Sequence, residues 1–243
     1  MNGLAIAAVV AVTAGVVVEL QWPNWWPVGF LAIGMSVLFV VGNQIMRGFR
    51  RLDQIALPMV PLIRGSNDLI LDAGCGTGRT TIALGPMLER GRVVAIDRFD
   101  AAYIDDGGRG LFEHNLALAG LADTVTIERA DLVAMPFDAE TFDAAVSAHV
   151  FDHLGGAKQR SLSEVMRVLK PGGRFLMVVW TPGWSMFAVA NLFSLFLTPK
   201  AEWRKLAALS GYRILDEGRF NHAWFVLLEK PAPAANVLDG DPQ

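Results

Sequence analysis

Charge is almost missing from the first 46 residues of this 243-residue chain, where Glu19 is the only charged side chain. Helices of soluble domains keep a polar face, and this stretch has none. Cysteine is reduced to Cys75, which excludes a disulfide within the chain and fits a reducing compartment. The net charge of -3 supplies no basic footprint, so nucleic acid is not the expected partner. The phosphate-cradling G-x-x-x-x-G-K-[ST] loop is absent, and Arg79 stands where the dinucleotide fingerprint G-x-G-x-x-G needs its third glycine. ATP and NAD are both disfavoured. His149, Asp152 and His153 share one segment without a diagnostic metal-ligand spacing, so no metal is expected. There is no internal repeat.

Two apolar stretches occupy the charge-poor end, residues 4–20 and 28–46, of about 17 and 19 residues. Each is near the lower limit for crossing a hydrocarbon layer ~30 Å thick. Gln21-Trp22-Pro23-Asn24-Trp25-Trp26-Pro27 separates them. Tryptophan favours the membrane–water interface and proline ends helices, so residues 1–46 read as a transmembrane α-helical hairpin. Arg47, Arg50 and Arg51 follow at once. By the positive-inside rule they place the remainder of the chain in the cytoplasm, giving a two-helix, multi-pass membrane protein. No basic stretch precedes the first apolar run and a second run follows, which argues against a cleaved signal peptide. Ala7, Ala11 and Gly15 form a small-residue stripe suited to packing against the second helix or against another subunit as a homo-oligomer.

Residues 47–66 read as an amphipathic linker, 67–230 as one α/β domain and 231–243 as a disordered tail. Strands are expected near 68–72, 92–97, 124–129, 142–147, 173–180, 212–217 and 223–229. Helices are expected near 78–89, 108–119, 158–169 and 201–210. This alternation implies a parallel sheet covered by helices. At its head, Leu69-Ile70-Leu71-Asp72-Ala73-Gly74-Cys75-Gly76-Thr77-Gly78 reads as a buried strand running into a turn where main chain and ligand approach closely. Cys75 reads as a small filler of that turn.

The run Asp72-Ala73-Gly74-Cys75-Gly76-Thr77-Gly78 resembles the first motif of class I S-adenosyl-L-methionine (SAM) dependent methyltransferases. Further landmarks follow in order over about residues 53–230: the strand ending at Asp97, the pair Asp131-Leu132 after the third strand, Phe142 to Ser147, and Lys170-Pro171-Gly172-Gly173 before the fifth. The resemblance implies a Rossmann-like fold: a seven-stranded, mostly parallel sheet with helices on both faces. It also implies SAM as cofactor and S-adenosyl-L-homocysteine as product. Carried over residue by residue, Asp72, Gly74, Gly76 and Gly78 form the cofactor loop and Asp97 takes the two ribose hydroxyls. Asp131 and the Leu132 N–H meet the adenine edge, Arg98 or Phe99 packs on adenine, and Ser147 closes the set. Asp143, at the start of its strand, is assigned to structure.

The acceptor side departs from the usual pattern. The segment Phe99 to Gly108, with Tyr103, is longer than the family's acid-x-Ser/Ala turn. After the fifth strand, Trp180 and Trp184 lead into a segment, 184–198, rich in Met, Phe and Leu. Asn191, Ser194 and Thr198 lie on one side at helical spacing, and Phe193 and Phe196 lie elsewhere. That is the profile of a helix in the membrane interface or a lid; a core or dimer helix is the other reading. Tyr103, Trp180, Trp184, Phe193 and Phe196 are the candidate substrate residues. His149, His153 and Asp152 follow the fourth strand at its ligand-bearing edge and are the candidate catalytic residues, His149 as base. The resemblance is nearest to ubiquinone/menaquinone-type and phospholipid N-methyltransferases. A lipophilic acceptor (quinone-like, phenolic or lipid), a phospholipid amine, and a non-catalytic SAM-binding membrane scaffold or sensor all remain open.

Overall fold

A computed structural model describes residues 3–51, 57–58, 60–102, 105–220 and 223–233. The chain divides into two compact units: 1–55 with 180–200 and 221–223, and 56–179 with 201–220 and 224–243.

The second unit is a seven-stranded sheet: β1 (Leu69–Ala73), β2 (Arg92–Asp97), β3 (Val125–Arg129), β4 (Phe142–Ala148), β5 (Leu169–Val179), β6 (Arg213–Phe220) and β7 (Ala223–Glu229). Their order is β3-β2-β1-β4-β5-β7-β6. All pairs from β3 to β5 are parallel, and β7 runs antiparallel to β5. Strands covered on both faces read as unbroken apolar runs, and accordingly Ile70, Leu71, Ala73, Val93, Ala95 and Ile96 are fully buried. Asp143 is structural as expected: one oxygen accepts the Leu69 N–H at 2.9 Å and the other the Lys170 ammonium at 2.7 Å.

The helices of this unit are α3 (Arg79–Leu84), α4 (Arg109–Ala119), α5 (Lys158–Val168) and, reaching it from its first residue, α7 (Lys200–Leu209). α5 buries Ser161, Leu162, Val165 and Val168, one stripe at helical spacing. α3 is shorter than the expected 78–89. Pro86 removes a backbone donor, so the helical hydrogen-bond ladder ends at Leu84 although Gly85 keeps helical angles, and a 3-10 turn, Gly85–Met87, follows. β5 begins at Leu169 rather than 173. Phe142 already pairs with Leu169, and a register shift before Ala144 absorbs the Pro171-Gly172-Gly173 turn inside the strand.

The first unit contains α1 (Gly3–Gln21), a 3-10 turn (Pro23–Trp25), α2 (Trp26–Arg51) and α6 (Trp184–Ala190). α2 continues five residues past the expected boundary at 46. α1 and α6 both pack on α2. Gly15, the last member of the small-residue stripe, is the close approach of the first pair: a Cβ there would lie 2.9 Å from the Gly29 carbonyl oxygen. The outward side chains are apolar and open, among them Val10 (61% exposed), Phe30 (61%) and Leu31 (68%). Among the described residues, one segment, Pro23–Gly42, is long and apolar enough to cross a membrane, and Ile6–Gln21 is shorter. The expectation of two full-length spans is corrected accordingly. Segment 184–198 is not one helix either. α6 ends at Ala190, and the 3-10 turns of Asn191–Phe196 break the expected spacing, burying polar Ser194 while Leu195 (68%) and Phe196 (85%) stand exposed.

Candidate functional site

The order β3-β2-β1-β4-β5 reverses direction of travel between β1 and β4, and ligands of such sheets bind in the crevice at the carboxyl ends of the strands flanking that point. β1 enters it through the glycine loop. Gly74, Gly76 and Gly78 have φ of +87°, +51° and +86°, which explains glycine at alternate positions. A Cβ on Gly78 would press on the Phe112 ring and one on Gly74 on the Val150 methyls, but one on Gly76 would meet nothing within 4 Å. The loop is walled on two sides and open at its centre. Asn115 secures it by donating to the Thr77 carbonyl at 3.0 Å.

Asp97, at the end of β2, faces the opening. Its Oδ2 accepts the Gly76 N–H and its Oδ1 the Phe99 N–H, both at 2.9 Å. Each carboxylate oxygen retains a lone pair for a hydroxyl. Beyond it, Arg98 is exposed and ion-paired with Asp100, whereas Phe99 is 2% exposed. Of the two adenine-packing candidates the structure buries Phe99 and leaves Arg98 in solvent. Phe99 has φ +48°, and Arg129 donates to its carbonyl at 3.0 Å. Tyr103 lies outside the described residues. Asp131 is drawn beside β2 because the Ala130 N–H donates to the Asp97 carbonyl at 3.0 Å. Its Oδ1 accepts the Val133 N–H, while the Leu132 side chain is buried, so that Leu132 could meet a ligand only through its main chain. The Ser147 hydroxyl donates to the Ala73 carbonyl at 2.6 Å, a tie between β4 and β1 rather than a group presented to the crevice.

Asp72 lies beneath the loop, fully buried, with Oδ2 accepting the Thr81 hydroxyl at 2.5 Å. Burial, reinforced by the nearby Asp97 carboxylate, pushes its carboxyl up to about 7 against the opposing Thr81 hydrogen bond. Burial also pushes the Cys75 thiol far up, as befits a filler and not a nucleophile.

After β4, His149 takes φ +59°, a left-handed conformation that costs a residue bearing a Cβ about 1–2 kcal/mol. Its N–H donates to the Val178 carbonyl at 2.8 Å. Its Nδ1 stands 3.9 Å from Asp152 Oδ2; the imidazole is 31% exposed and the carboxylate 3%. His153, in the following 3-10 turn, is exposed. Trp180, Trp184 and Phe196 belong to the other unit, where Trp184 is 88% exposed, and the Phe193 side chain lies outside the described residues. The structure therefore brings Asp72, the glycine loop, Asp97, Phe99, Asp131 and His149 to one sheet edge. Thr81, Phe112, Asn115 and Arg129 complete this edge without a sequence motif to announce them.

Residues 71–177 match the family described as "Methyltransferase domain". The chain is 30% identical over 184 residues to a demethylmenaquinone methyltransferase of Symbiobacterium thermophilum, covering 72% of this chain and 70% of that one. It is 34% identical over 119 residues to a demethylmenaquinone methyltransferase of Lactiplantibacillus plantarum, covering 49% and 47%. In fold it resembles a SAM-dependent methyltransferase from Methanosarcina mazei, with a TM-score of 0.60 and 18% identity over 74% of this chain and 100% of that one. Sheet order, glycine loop and strand-end acid define a Rossmann-like methyltransferase. The chain belongs to the SAM-dependent methyltransferases, in the family that includes the demethylmenaquinone enzymes, and its cofactor is SAM.

Proposed function

We propose that the protein transfers the SAM methyl group to a lipophilic, quinone-like acceptor at a membrane, from the cytoplasmic side. The observation that carries this reading is the open apolar surface of α1 and α2. Val9, Val10, Val16, Val17, Phe30, Leu31, Val40 and Val41 are all exposed, a surface that lipid satisfies and water does not. Exposed Trp22, Trp25 and Trp26 at the turn fit the interfacial level. α2 crosses the membrane, α1 accompanies it as the shorter arm of a hairpin, and Arg47, Arg50 and Arg51 hold the catalytic domain in the cytoplasm. α6 and the turns after it, packed on α2, offer exposed Trp184, Leu195 and Phe196 as a further interfacial contact. The names of the relatives favour a quinone-like acceptor.

The residues present fit the cofactor, since the open centre at Gly76 leaves main chain free for close approach. Asp97 would hold the ribose hydroxyls, and Asp131 and the Leu132 N–H the adenine edge. SAM supplies a methyl already activated by its sulfonium, so the protein's share is to align the acceptor and exclude water.

Detergent-solubilised full-length protein, incubated with methyl-labelled SAM and lipid extract of the source membrane, is expected to label a quinone-like lipid. Label in phospholipid amines would establish the N-methyltransferase reading instead, and tight SAM binding without label the scaffold reading. In intact membranes the protein is expected to resist carbonate extraction, and a reporter after Gln243 to be active in the cytoplasm. Release by carbonate would remove the anchor; a reporter active only after export would reverse the orientation.

A further inference from the structure

We infer that Arg129 is a positioning residue for the cofactor: by holding the Phe99 carbonyl it fixes the orientation of Asp97 and, through Asp97, the main chain of the glycine loop. This rests on the reading of Asp97 as the ribose ligand. Arg129 ends β3, the edge strand, in register with Asp97 at the end of β2, and the Ala130 N–H joins the two strand ends by donating to the Asp97 carbonyl at 3.0 Å. The Arg129 guanidinium donates to the Phe99 carbonyl, two residues beyond Asp97, at 3.0 Å. The Phe99 N–H in turn donates to Asp97 Oδ1 and the Gly76 N–H to Oδ2, both at 2.9 Å. One line of hydrogen bonds thus runs from the edge of the sheet to the centre of the glycine loop.

Phe99 is the weak link in that line. Its φ of +48° is a left-handed backbone that a residue with a Cβ avoids. The conformation bends the Phe99 N–H back onto Asp97 in an aspartate-closed turn, and a phenylalanine released from it returns to extended backbone and withdraws the N–H. Burial of the ring, 2% exposed, anchors the residue but does not orient its peptide plane. The carbonyl is where that orientation is set. Gly107, at φ +60°, packs so closely on it that a Cβ there would overlap the oxygen, and Arg129 supplies a charge-assisted donor. Arg129 is an exposed residue of an edge strand, and among the described residues its guanidinium has no other polar partner. Without it the turn opens, Oδ1 loses a donor, and the carboxylate rotates away from Gly76. The ribose would then meet an acid that has to be ordered at the moment of binding, a cost that falls on affinity.

Arg129→Met keeps the apolar stem and removes the donor. In cofactor-free, full-length protein the amides of Gly76 and Phe99 are expected to exchange with solvent deuterium about tenfold faster than in the wild type, while those inside β1 and β2 keep their protection. Calorimetric affinity should fall about tenfold for SAM and by the same factor for S-adenosyl-L-homocysteine, because the ribose is common to both and the sulfonium is not. The unfolding temperature should stay within about 3 °C of wild type. Arg129→Lys, which returns a cationic donor, should recover affinity to within about threefold of wild type. A role confined to packing would move the unfolding temperature and leave these quantities alone. Wild-type affinity for both ligands in Arg129→Met, a loss confined to one of them, or unchanged exchange at Gly76 and Phe99 would each overturn the positioning role. Its failure is distinct from failure of the ribose reading. If Asp97→Ala loses affinity and Arg129→Met does not, Arg129 alone falls; if neither loses affinity, the ribose assignment falls with it.

Discussion

Asp97→Ala is expected to weaken SAM binding by two to four orders of magnitude. A hydrogen bond to a charged group contributes about 1.5–3 kcal/mol, the carboxylate would receive two from the ribose, and every ~1.4 kcal/mol is a factor of ten. The same carboxylate holds the N–H groups of Gly76 and Phe99, so its removal also loosens the loop that receives the cofactor. Asp97→Asn keeps one acceptor oxygen and should lose less. Calorimetric titration of the full-length protein measures both, with thermal unfolding as the check that each variant is folded. An alanine variant that binds within about threefold of wild type would take Asp97 out of the site.

That residue was legible from sequence because two local rules meet at it. An apolar strand that must be buried ends in an acid, and the acid falls 21 residues beyond the central glycine to which the structure joins it. β2 and β7 follow from the same kind of signal, short apolar runs bounded by breakers, which the sheet then covers on both faces. Where backbone chemistry outweighs apolar periodicity, the reading misses. Pro86 stops α3 early although apolar spacing continues to Leu88. In β5 the edge pairing of Leu169 with Phe142 draws the strand back across a Pro-Gly-Gly turn that local rules assign to a loop.

The rest of the site was not legible because it is made by long-range packing. Nothing in the sequence says that Phe112 will close against Gly78, that Thr81 will reach Asp72, or that Arg129 will hold the carbonyl of a strained Phe99. The left-handed turn at His149 is equally silent: no glycine, asparagine or aspartate marks it, and it arises from the hydrogen bond its N–H makes to β5. Segment 184–198 shows the limit from the other side. A spacing count placed Asn191, Ser194 and Thr198 on one polar face, but once winding tightens after Ala190 that count no longer maps to a face, and Ser194 turns inward while Phe196 turns out.

Asp72 makes folding stability fall as the medium is made more alkaline, in a window where carboxylates more often do the opposite. Its carboxyl is raised by burial from 3.8 to about 7 in the folded protein, and the unfolded chain retains the ordinary value. Below about pH 4 both states hold the proton, and the stabilisation is complete. Between pH 4 and pH 7 the folded state keeps a proton that the unfolded chain has released, so each rise in pH favours unfolding, and above pH 7 the loss levels off. A shift of that size corresponds to ~4 kcal/mol across the window, at 1.36 kcal/mol per unit. Asp72→Asn preserves an acceptor for the Thr81 hydroxyl and cannot ionise. The difference in unfolding free energy between variant and wild type, followed by urea denaturation with no cofactor added, should therefore rise by that amount from pH 4 to pH 7.5 in favour of the variant. Taking the difference cancels the other titrating groups that both proteins share. A difference that stays flat from pH 4 to pH 7.5 would mean that Asp72 is ionised in the folded protein throughout, with a compensating cation or water beside the Oδ1 atom that has no hydrogen-bond partner in the buried site.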